Sequence, residues 1–360
     1  MSANGRSTAS ASTCWPAIRC SSAPALPPGP PPRAAPDSQE FDMKIIKTDG
    51  VLSVEAEQLR YLDGLNAEFV EKTLLTEDAL IEQCRDADAL MILREPITAR
   101  VLAELKKLKV IGRFGVGLDS IDVEAASRAG VQITYVPDAN LVEVSTHAMA
   151  LILALTRRLK QFDSAVRAGR WAAMADGAGI TRPDRQVFGL IGFGQIGRLT
   201  AERARVFGFH IIAYDPHMPA ERIAAGGAEP VGFDELLARA DIVSLHVPAT
   251  PETRNIMSAK TLSRMKEGAI LINVSRGGLV DEVALADLIR RRHLAGAGID
   301  TFEQEPPSPD NPLLALDSVL VSPHAAHYST QSYAEVRNKV FADVASVLRG
   351  GKPVYPVNRV

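Results

Sequence analysis

The sequence predicts an α/β protein built from two doubly wound units, each a parallel sheet with helices on both faces. The chain has 360 residues, which at roughly 150 residues per domain corresponds to about two domains. From Met43 onward, short apolar runs alternate with segments of helical periodicity, a pattern typical of βαβ units and parallel sheets. A longer helical pattern over residues 142–158 separates an earlier series of these units from a later one.

Residues 1–42 differ from the rest of the chain and are predicted to be a disordered extension. They hold 8 of the 23 prolines and no acidic residue before Asp37, and they show no apolar periodicity. Such a segment cannot bury enough surface to offset its ordering entropy. Because a clear strand pattern begins at Met43, we expect either a disordered tail or a start codon assigned too far upstream.

The strands of both units are predicted from apolar runs bounded by turn residues. In the first unit they are Lys44–Lys47, Glu68–Thr73, Ala89–Leu93, Lys109–Arg113 and Val131–Tyr135. In the second they are Gln186–Ile191, His210–Tyr214, Asp241–Val247, Ala269–Val274, Ala295–Ile299 and Val319–Val321. A last helix, Ser329 to about Leu348, has no strand after it and must pack on a sheet that is already complete.

Composition and charge exclude several classes of protein. The 40 Lys and Arg residues balance 43 Asp and Glu residues, so the net charge of −3 does not favour nucleic acid as a partner. The longest apolar run, residues 148–155, is far shorter than the roughly 18 residues that span a bilayer. Three cysteines, Cys14, Cys20 and Cys84, are too few and too badly spaced for a disulfide framework or zinc site. We therefore expect a cytoplasmic protein without a metal or a membrane segment.

The strongest local motif is "VFGLIGFGQIG", an apolar strand that runs into three glycines with dinucleotide-binding spacing and then into a helix. The glycines are Gly192 for the tight turn, Gly194 for the approach of a pyrophosphate, and Gly197 for helix packing. The N–H groups of Gln195 and Ile196 at the helix N-terminus would bind the anion. Asp215, at the end of the next strand, would accept hydrogen bonds from the adenosine ribose and exclude an added phosphate, which favours NAD over NADP. The alternative is a plain glycine turn beside a solvated aspartate.

Three residues with useful chemistry follow strands of the second unit, at the edge where a parallel sheet presents its crevice: Arg276, Glu305 and His324. Each alone is more often a surface or ion-pair residue. Together, beside a dinucleotide-binding motif, they are candidate catalytic residues, because an imidazole can exchange a proton near neutral pH and a carboxylate can orient that ring. A guanidinium can bind an anionic group of a substrate.

Several longer motifs resemble one family along nearly the whole chain after residue 43. They are "GRFGVGLDSIDV", "GFGQIG", "SLHVPATPETRNIM", "INVSRGGLVDE" and "SPHAAHYS". In order and spacing the chain is similar to the D-isomer-specific 2-hydroxyacid dehydrogenases, including phosphoglycerate dehydrogenases, and to the related C-terminal-binding protein corepressors. The resemblance implies that Arg276, Glu305 and His324 are the catalytic triad and that the protein is a homodimer. It also implies a Rossmann coenzyme domain, residues 141–324, inserted into a flavodoxin-like substrate domain, residues 43–140 and 325–360.

Further site residues are implied by the same resemblance. On the cofactor side they are His246, Val247, Pro248, Thr253, Asn273 and Asp300, the last at the position that holds the nicotinamide amide. On the substrate side they are Arg94, Arg113, Val116, Gly117, Asn140 and His327. An exposed strand-end arginine is an equally good interpretation of Arg94.

The chain departs from the family at positions near the site. His327, beside Tyr328, stands where many members have tryptophan or a small residue, which predicts a polar pocket wall. Ser145 and Thr146 replace the usual alanine and acidic residue, and we interpret the following His147 as a helix-packing residue. The chain ends soon after the final helix, from which we expect that the regulatory domains of many phosphoglycerate dehydrogenases are absent.

The sequence thus predicts an NAD-dependent oxidoreductase that transfers a hydride between nicotinamide and a small D-2-hydroxy acid or 2-oxo acid. Two alternatives remain open. One is an NAD(H)-sensing binding protein like the corepressors, whose "PHAA" and "YS" pattern the segment after Ser322 shares. The other is oxidation of 3-phosphoglycerate, which needs additional cationic contacts for the phosphate that the sequence does not identify.

Overall fold

The computed structural model describes residues 41–171 and 177–360. The predicted disordered extension therefore lies outside the described residues, apart from Phe41 and Asp42. The strands are β1 Met43–Lys47, β2 Ala67–Glu71, β3 Ala89–Ile92, β4 Val110–Arg113, β5 Gln132–Thr134, β6 Val187–Ile191, β7 His210–Tyr214, β8 Glu229–Pro230, β9 Ile242–Leu245, β10 Ala269–Asn273, β11 Leu294–Ile299 and β12 Val319–Val321.

The helices follow the predicted alternation with these strands. They are α1 Ala56–Leu59, α2 Glu77–Cys84, α3 Ala99–Glu104, α4 Val123–Arg128, α5 Leu141–Thr156, α6 Leu159–Arg167, α7 Gln195–Val206, α8 Ala220–Ala225, α9 Phe233–Arg239, α10 Ala259–Leu262, α11 Glu282–Arg290 and α12 Thr330–Leu348. Side-chain caps set several of their starts: the hydroxyl of Thr76 accepts the Ala79 N–H before α2, and that of Ser329 accepts the Ser332 N–H before α12.

The first sheet has the parallel order β2-β1-β3-β4-β5, which is the flavodoxin-like order. The C-terminal helix α12 packs on this sheet, with Val340, Phe341 and Val344 in one apolar cluster with Ile45. Its close approach depends on Gly112 in β4, because a Cβ there would lie 2.6 Å from a methyl group of Val344. The final helix thus completes the unit formed by the first five strands.

The second sheet is parallel throughout, with the order β12-β11-β10-β9-β6-β7-β8. Its first six strands in sequence have the Rossmann order, and β12 extends the sheet at one edge. Helix α5 packs on it, with Ala148 and Ile152 in a buried cluster with Leu190 and Ile272. The predicted fold class is confirmed.

Two local features differ from the sequence predictions. The edge strand β8 was not predicted, because it has only two residues and one of them is Pro230, which cannot donate to a ladder. The long helix ends earlier than predicted, since Arg158 has a left-handed φ of 52° and separates α5 from α6. Of the helices in the described ranges, none is long and apolar enough to cross a membrane.

Candidate active site

The candidate site lies where loops at the carboxyl ends of the two sheets come together, as expected for parallel sheets. Two ion pairs join these loops. Nη1 of Arg94, after β3, lies 3.0 Å from Oε2 of Glu305, and Nε of Arg276, after β10, lies 3.0 Å from Oδ2 of Asp119. The loops of one sheet therefore contact two of the three predicted catalytic residues, which belong to the other.

His324 and Glu305 form a direct pair in this site. Nδ1 of His324 lies 2.8 Å from Oε2 and 2.9 Å from Oε1 of Glu305, so the carboxylate holds one ring nitrogen and leaves Nε2 available. Burial by itself would raise the pKa of the Glu305 carboxyl. The hydrogen bond and charge of His324, together with the Phe302 N–H and Arg94, outweigh burial and lower this pKa below its ordinary value. The carboxylate form of Glu305 is therefore favoured.

Asp300 builds the loop that carries His324. Its carboxylate is buried and accepts the N–H groups of Ala325 at 2.8 Å and Ala326 at 3.0 Å, as well as the Ser322 hydroxyl. Its backbone oxygen accepts the His324 N–H at 2.7 Å. His324 has a φ of 53°, a left-handed conformation that is uncommon for a residue other than glycine and needs support from its surroundings. Asp300 thus fixes the backbone of the loop that carries His324 through these hydrogen bonds.

Asn273 has a similar role for Arg276. Its buried amide donates to the Arg276 carbonyl at 2.8 Å and accepts the Ser275 N–H at 3.1 Å, which fixes the turn after β10. The guanidinium then lies against Gly117, where a Cβ would be 1.9 Å from Nη2 of Arg276. The absence of a side chain at Gly117 is therefore required for this position of Arg276.

The predicted substrate-side arginines lie near Arg276. Burial, followed by the charge of Arg276, lowers the pKa of Arg113 to about 10, and Arg94 adds to the effect. Arg113 donates from Nη1 to the Phe114 carbonyl at 2.9 Å, whereas its buried Nε has no partner among the described residues. A buried guanidinium with an unpaired donor is well suited to bind an anion.

Aromatic and polar groups complete the substrate side. The rings of His327 and His324 meet edge to face with centroids 5.8 Å apart, and Nε2 of His327 lies 3.3 Å from the Tyr333 hydroxyl. Burial and the charge of His324 lower the pKa of His327 to about 4, so this ring is neutral at neutral pH. Asn140 precedes α5 with its Oδ1 buried and, within the described residues, unpaired. Val116 is half-buried in the loop after β4.

The glycine turn has the geometry that a dinucleotide site requires. Gly192 has a φ of 93°, and a Cβ there would lie 2.5 Å from the His246 oxygen. A Cβ on Gly197 would lie 2.4 Å from the Gly192 oxygen, whereas one on Gly194 would meet nothing within 4 Å. Gly194 is the N-cap of α7, so it faces open space directly before the helix residues Gln195 and Ile196. These residues fit a bound pyrophosphate.

Asp215 lies at the end of β7 next to this turn. Its carboxylate accepts the Phe193 N–H and the His217 N–H, each at 2.9 Å, so it is fixed with acceptor sites left over. A pocket of about 350 Å³, lined in part by Tyr214, Met218 and Val231, opens beside it. This arrangement is compatible with an adenosine ribose at Asp215.

The loop after β9 covers the glycine turn. His246 donates its N–H to the Ile191 oxygen at 2.8 Å, and its Nε2 lies 2.9 Å from the Ser244 hydroxyl. Burial lowers the pKa of His246 to about 4. A methyl group of Val247 approaches the turn at Gly192, and the Thr253 hydroxyl donates to the Pro248 oxygen at 2.6 Å, closing the loop. The predicted cofactor-side residues therefore flank one turn, except for Asn273 and Asp300, which lie beneath the catalytic loops.

Sequence reasoning missed two contributors to the site. Asp119 belongs to the "GRFGVGLDSIDV" motif, but nothing in one sequence indicates its pairing with Arg276 across 157 residues. The interpretation of His147 as a packing residue is corrected by the structure, since its Nε2 lies 2.8 Å from the Ser322 hydroxyl and its side chain is 26% exposed.

Comparison with known proteins agrees with this geometry. Residues 149–326 match the D-isomer specific 2-hydroxyacid dehydrogenase, NAD binding domain. The chain is 37% identical over 287 residues to a glyoxylate reductase of Korarchaeum cryptofilum, covering 79% of this chain and 86% of that protein. The chain belongs to the D-isomer specific 2-hydroxyacid dehydrogenase family.

Other members of the D-isomer specific 2-hydroxyacid dehydrogenase family resemble it over different lengths. It is 42% identical over 271 residues to the D-3-phosphoglycerate dehydrogenase of Mycobacterium leprae, covering 75% of this chain and 50% of that protein. The chain therefore spans about half the length of that relative. The structure of an Aquifex aeolicus D-lactate dehydrogenase, solved with NAD and lactic acid, aligns with a TM-score of 0.76 and 27% identity, covering 85% of this chain and 96% of that chain. The predicted family is confirmed.

Proposed function

We propose that this chain is an NAD-dependent dehydrogenase that interconverts a small D-2-hydroxy acid and its 2-oxo acid. The observation that carries the proposal is the His324–Glu305 pair at 2.8 Å, in one site with the guanidinium of Arg276. The likeness to glyoxylate reductase and D-lactate dehydrogenase supports this substrate class.

The proton chemistry belongs to His324 and Glu305. Bound NAD supplies the acceptor for the substrate hydride, and NADH the donor in the reverse direction. In the reductive direction, Nε2 of His324 gives its proton to the oxygen of the former carbonyl, so that the product is a hydroxyl rather than an alkoxide. Glu305 accepts the Nδ1 proton in a hydrogen bond throughout, which fixes the ring orientation.

The cations of the site bind the substrate. We assign the substrate carboxylate to Arg276 and to the backbone N–H groups of Val116 and Gly117, with Arg113 as a second anchor. Hydrogen bonds from guanidinium to the carbonyl oxygen would strengthen as negative charge develops there. Arg94 holds Glu305, and Asn140 and His327 line the remaining wall.

On the coenzyme side, Gly192, Gly194 and Gly197 with the N–H groups of Gln195 and Ile196 would hold the pyrophosphate. Asp215 would hold the adenosine ribose. His246, Val247, Pro248 and Thr253 would cover that half of the coenzyme, and Asn273 and Asp300 would border the nicotinamide.

A spectrophotometric screen of 2-oxo acids with NADH and with NADPH tests this proposal. We expect turnover with NADH, and Arg276→Ala and His324→Ala should each lower kcat/KM by about 100-fold or more while folding is preserved. His210→Ala is the matched control, because His210 is exposed and pairs with Glu229 away from the site. Unchanged rates in both site variants would refute the assignment.

Oxidation of 3-phosphoglycerate is a second candidate. The specific observation in its favour is the placement of Arg94 and Arg113 beside Arg276, because these are additional cations near a substrate carboxylate. The likeness to D-3-phosphoglycerate dehydrogenases points the same way. Comparing 3-phosphoglycerate with D-glycerate and D-lactate as substrates for NAD reduction distinguishes the two functions. A preference for the phosphorylated acid that is lost in Arg113→Met would favour the second.

We further propose a cytoplasmic homodimer with the substrate domain at residues 43–140 and 325–360 and the coenzyme domain at 141–324. Exposed apolar side chains of the second unit, including Val142 and Val206, support self-association. Light scattering at several concentrations measures the oligomeric state.

A further inference from the structure

A chain of hydrogen bonds connects helix α5 to the loop of the proposed catalytic histidine. Nε2 of His147 lies 2.8 Å from Oγ of Ser322, and that hydroxyl donates to Oδ1 of Asp300. The hydroxyl proton is thereby committed to Asp300, so the Ser322 oxygen accepts the proton on Nε2 of His147. The direction of the chain is from His147 through Ser322 to Asp300.

Asp300 is the point at which this chain reaches the catalytic loop. Its side chain is 1% exposed, and its carboxylate accepts the N–H groups of Ala325 and Ala326, the two residues after His324. A buried carboxylate depends on such donors, and each one restricts where its oxygens lie. His147 is also 3.6 Å from Oδ1 of Asp300, so its ring contributes directly to the environment of this carboxylate.

The loop requires this support because of its backbone conformation. His324 has a φ of 53°, and its N–H donates to the Asp300 carbonyl at 2.7 Å. Conformations of this kind persist where the surroundings determine them. Displacement of Asp300 would therefore displace the His324 ring relative to Glu305.

We propose that His147 is a positioning residue that sets the orientation of the His324 ring through Ser322 and Asp300. The effect of His147 on turnover rests on the proposed dehydrogenase function. Its effect on the orientation of the His324 ring is present in the protein without substrate. Helix α5 packs against β10 and β11, so it is a rigid base for the donor. The assignment gives a function to a histidine that periodicity places on a packing face.

Two substitutions at His147 separate positioning from packing. His147→Leu replaces the imidazole by an apolar side chain of similar size and removes the donor, whereas His147→Gln places an amide N–H near the position of Nε2. Ser145→Ala is the matched control. Ser145 is buried in the same helix and donates to the Leu141 oxygen, so its loss removes a hydrogen bond that does not reach the loop.

Turnover is the first measurement. We expect His147→Leu to lower kcat by about 10- to 100-fold, the range expected for a misplaced catalytic group. His147→Gln should recover most of the loss, and Ser145→Ala should retain the wild-type kcat. Equal losses in the Leu and Gln variants, or a loss that follows the drop in Tm across all three, would overturn the proposal.

The second measurement does not depend on activity. Histidine-labelled protein without coenzyme gives imidazole NMR signals, and the His324 signals are assigned by their disappearance in His324→Asn. We expect these signals to shift or broaden in His147→Leu and to remain in place in Ser145→Ala. Unchanged His324 signals in His147→Leu would refute positioning whatever the rates. If the wild type turned over no 2-oxo acid, the proposed function would fail while this comparison still decided the role of His147.

Discussion

The glycine turn offers a sharp test, because two of its glycines should fail in different ways when a methyl group is added. A Cβ at Gly197 would lie 2.4 Å from the Gly192 oxygen, about 1 Å closer than the 3.4 Å at which ordinary contact begins. That oxygen belongs to a turn whose Gly192 N–H is bonded to Tyr214 at 2.8 Å, so it cannot move freely. A Cβ at Gly194 would meet no atom within 4 Å, since it projects into the space in front of α7.

The expected magnitudes follow from these distances. A contact of 2.4 Å with a backbone oxygen falls at the upper end of the roughly 1–3 kcal/mol that overpacking costs. The better helix propensity of alanine returns about 1 kcal/mol, so Gly197→Ala should lower the free energy of unfolding by about 2 kcal/mol. Gly194→Ala should cost less than about 1 kcal/mol, from the weaker N-cap alone. Its methyl group would nevertheless occupy the space that a pyrophosphate needs, so NADH affinity should fall by roughly tenfold or more, about 1.4 kcal/mol.

Chemical denaturation without coenzyme measures the first quantity, and titration of NADH fluorescence measures the second. The expected result is a stable Gly194→Ala variant with weak NADH binding and a destabilised Gly197→Ala variant. Wild-type NADH affinity in Gly194→Ala would refute a pyrophosphate site in front of α7. Equal losses of stability in the two variants would show that the open space at Gly194 does not exist.

Three other predictions follow from single residues. Thr301 is buried with a hydroxyl that has no partner among the described residues, so Thr301→Val should raise the free energy of unfolding by about 1 kcal/mol in a urea titration. The pKa of about 4 at His246 lies below that of an unfolded histidine, so the unfolded state binds the extra proton and stability should fall between pH 6.5 and 4, by up to about 3 kcal/mol. A His246→Asn variant should show a shallower decline over that pH range, and an identical slope would contradict the assignment. Arg113→Met should raise KM for the oxo acid by about tenfold or more without loss of Tm, because a buried cation with an unpaired Nε contributes little to folding; a lower Tm with unchanged KM would show a structural role instead.

The positions of most strands, and the grouping of the three catalytic candidates at one sheet edge, could be predicted from the sequence for a physical reason. Parallel strands buried on both faces appear as short apolar runs, and among the strands of the described residues it is the two-residue edge strand β8 that lacks this signal. Residues that follow such strands meet at one edge of the sheet, which is why Arg276, Glu305 and His324 could be grouped before the fold was known.

Pairings between the two sheets could not be predicted in the same way. Arg94 and Glu305 are 211 residues apart, and their contact depends on how the two sheets face each other. The role of His147 was hidden for a different reason. Its position on α5 follows the apolar periodicity of the helix. That periodicity indicates which helix face is buried, but it does not indicate which polar group accepts the hydrogen bond from His147.

The charges between the sheets show how the site can be held together and still accept an anion. Both pairs are solvent-accessible, with Arg276 31% and Asp119 49% exposed in one and Arg94 53% exposed in the other. Exposed pairs of this kind contribute only about 0–1 kcal/mol, so a substrate carboxylate can replace Asp119 on Arg276 at little cost. Arg113 differs, because burial lowers its pKa and one of its donors is unpaired. An anion that reaches Arg113 pairs with a buried positive charge. The resulting stabilisation favours a carboxylate bound inside the site over the exposed Arg276–Asp119 pair that it displaces.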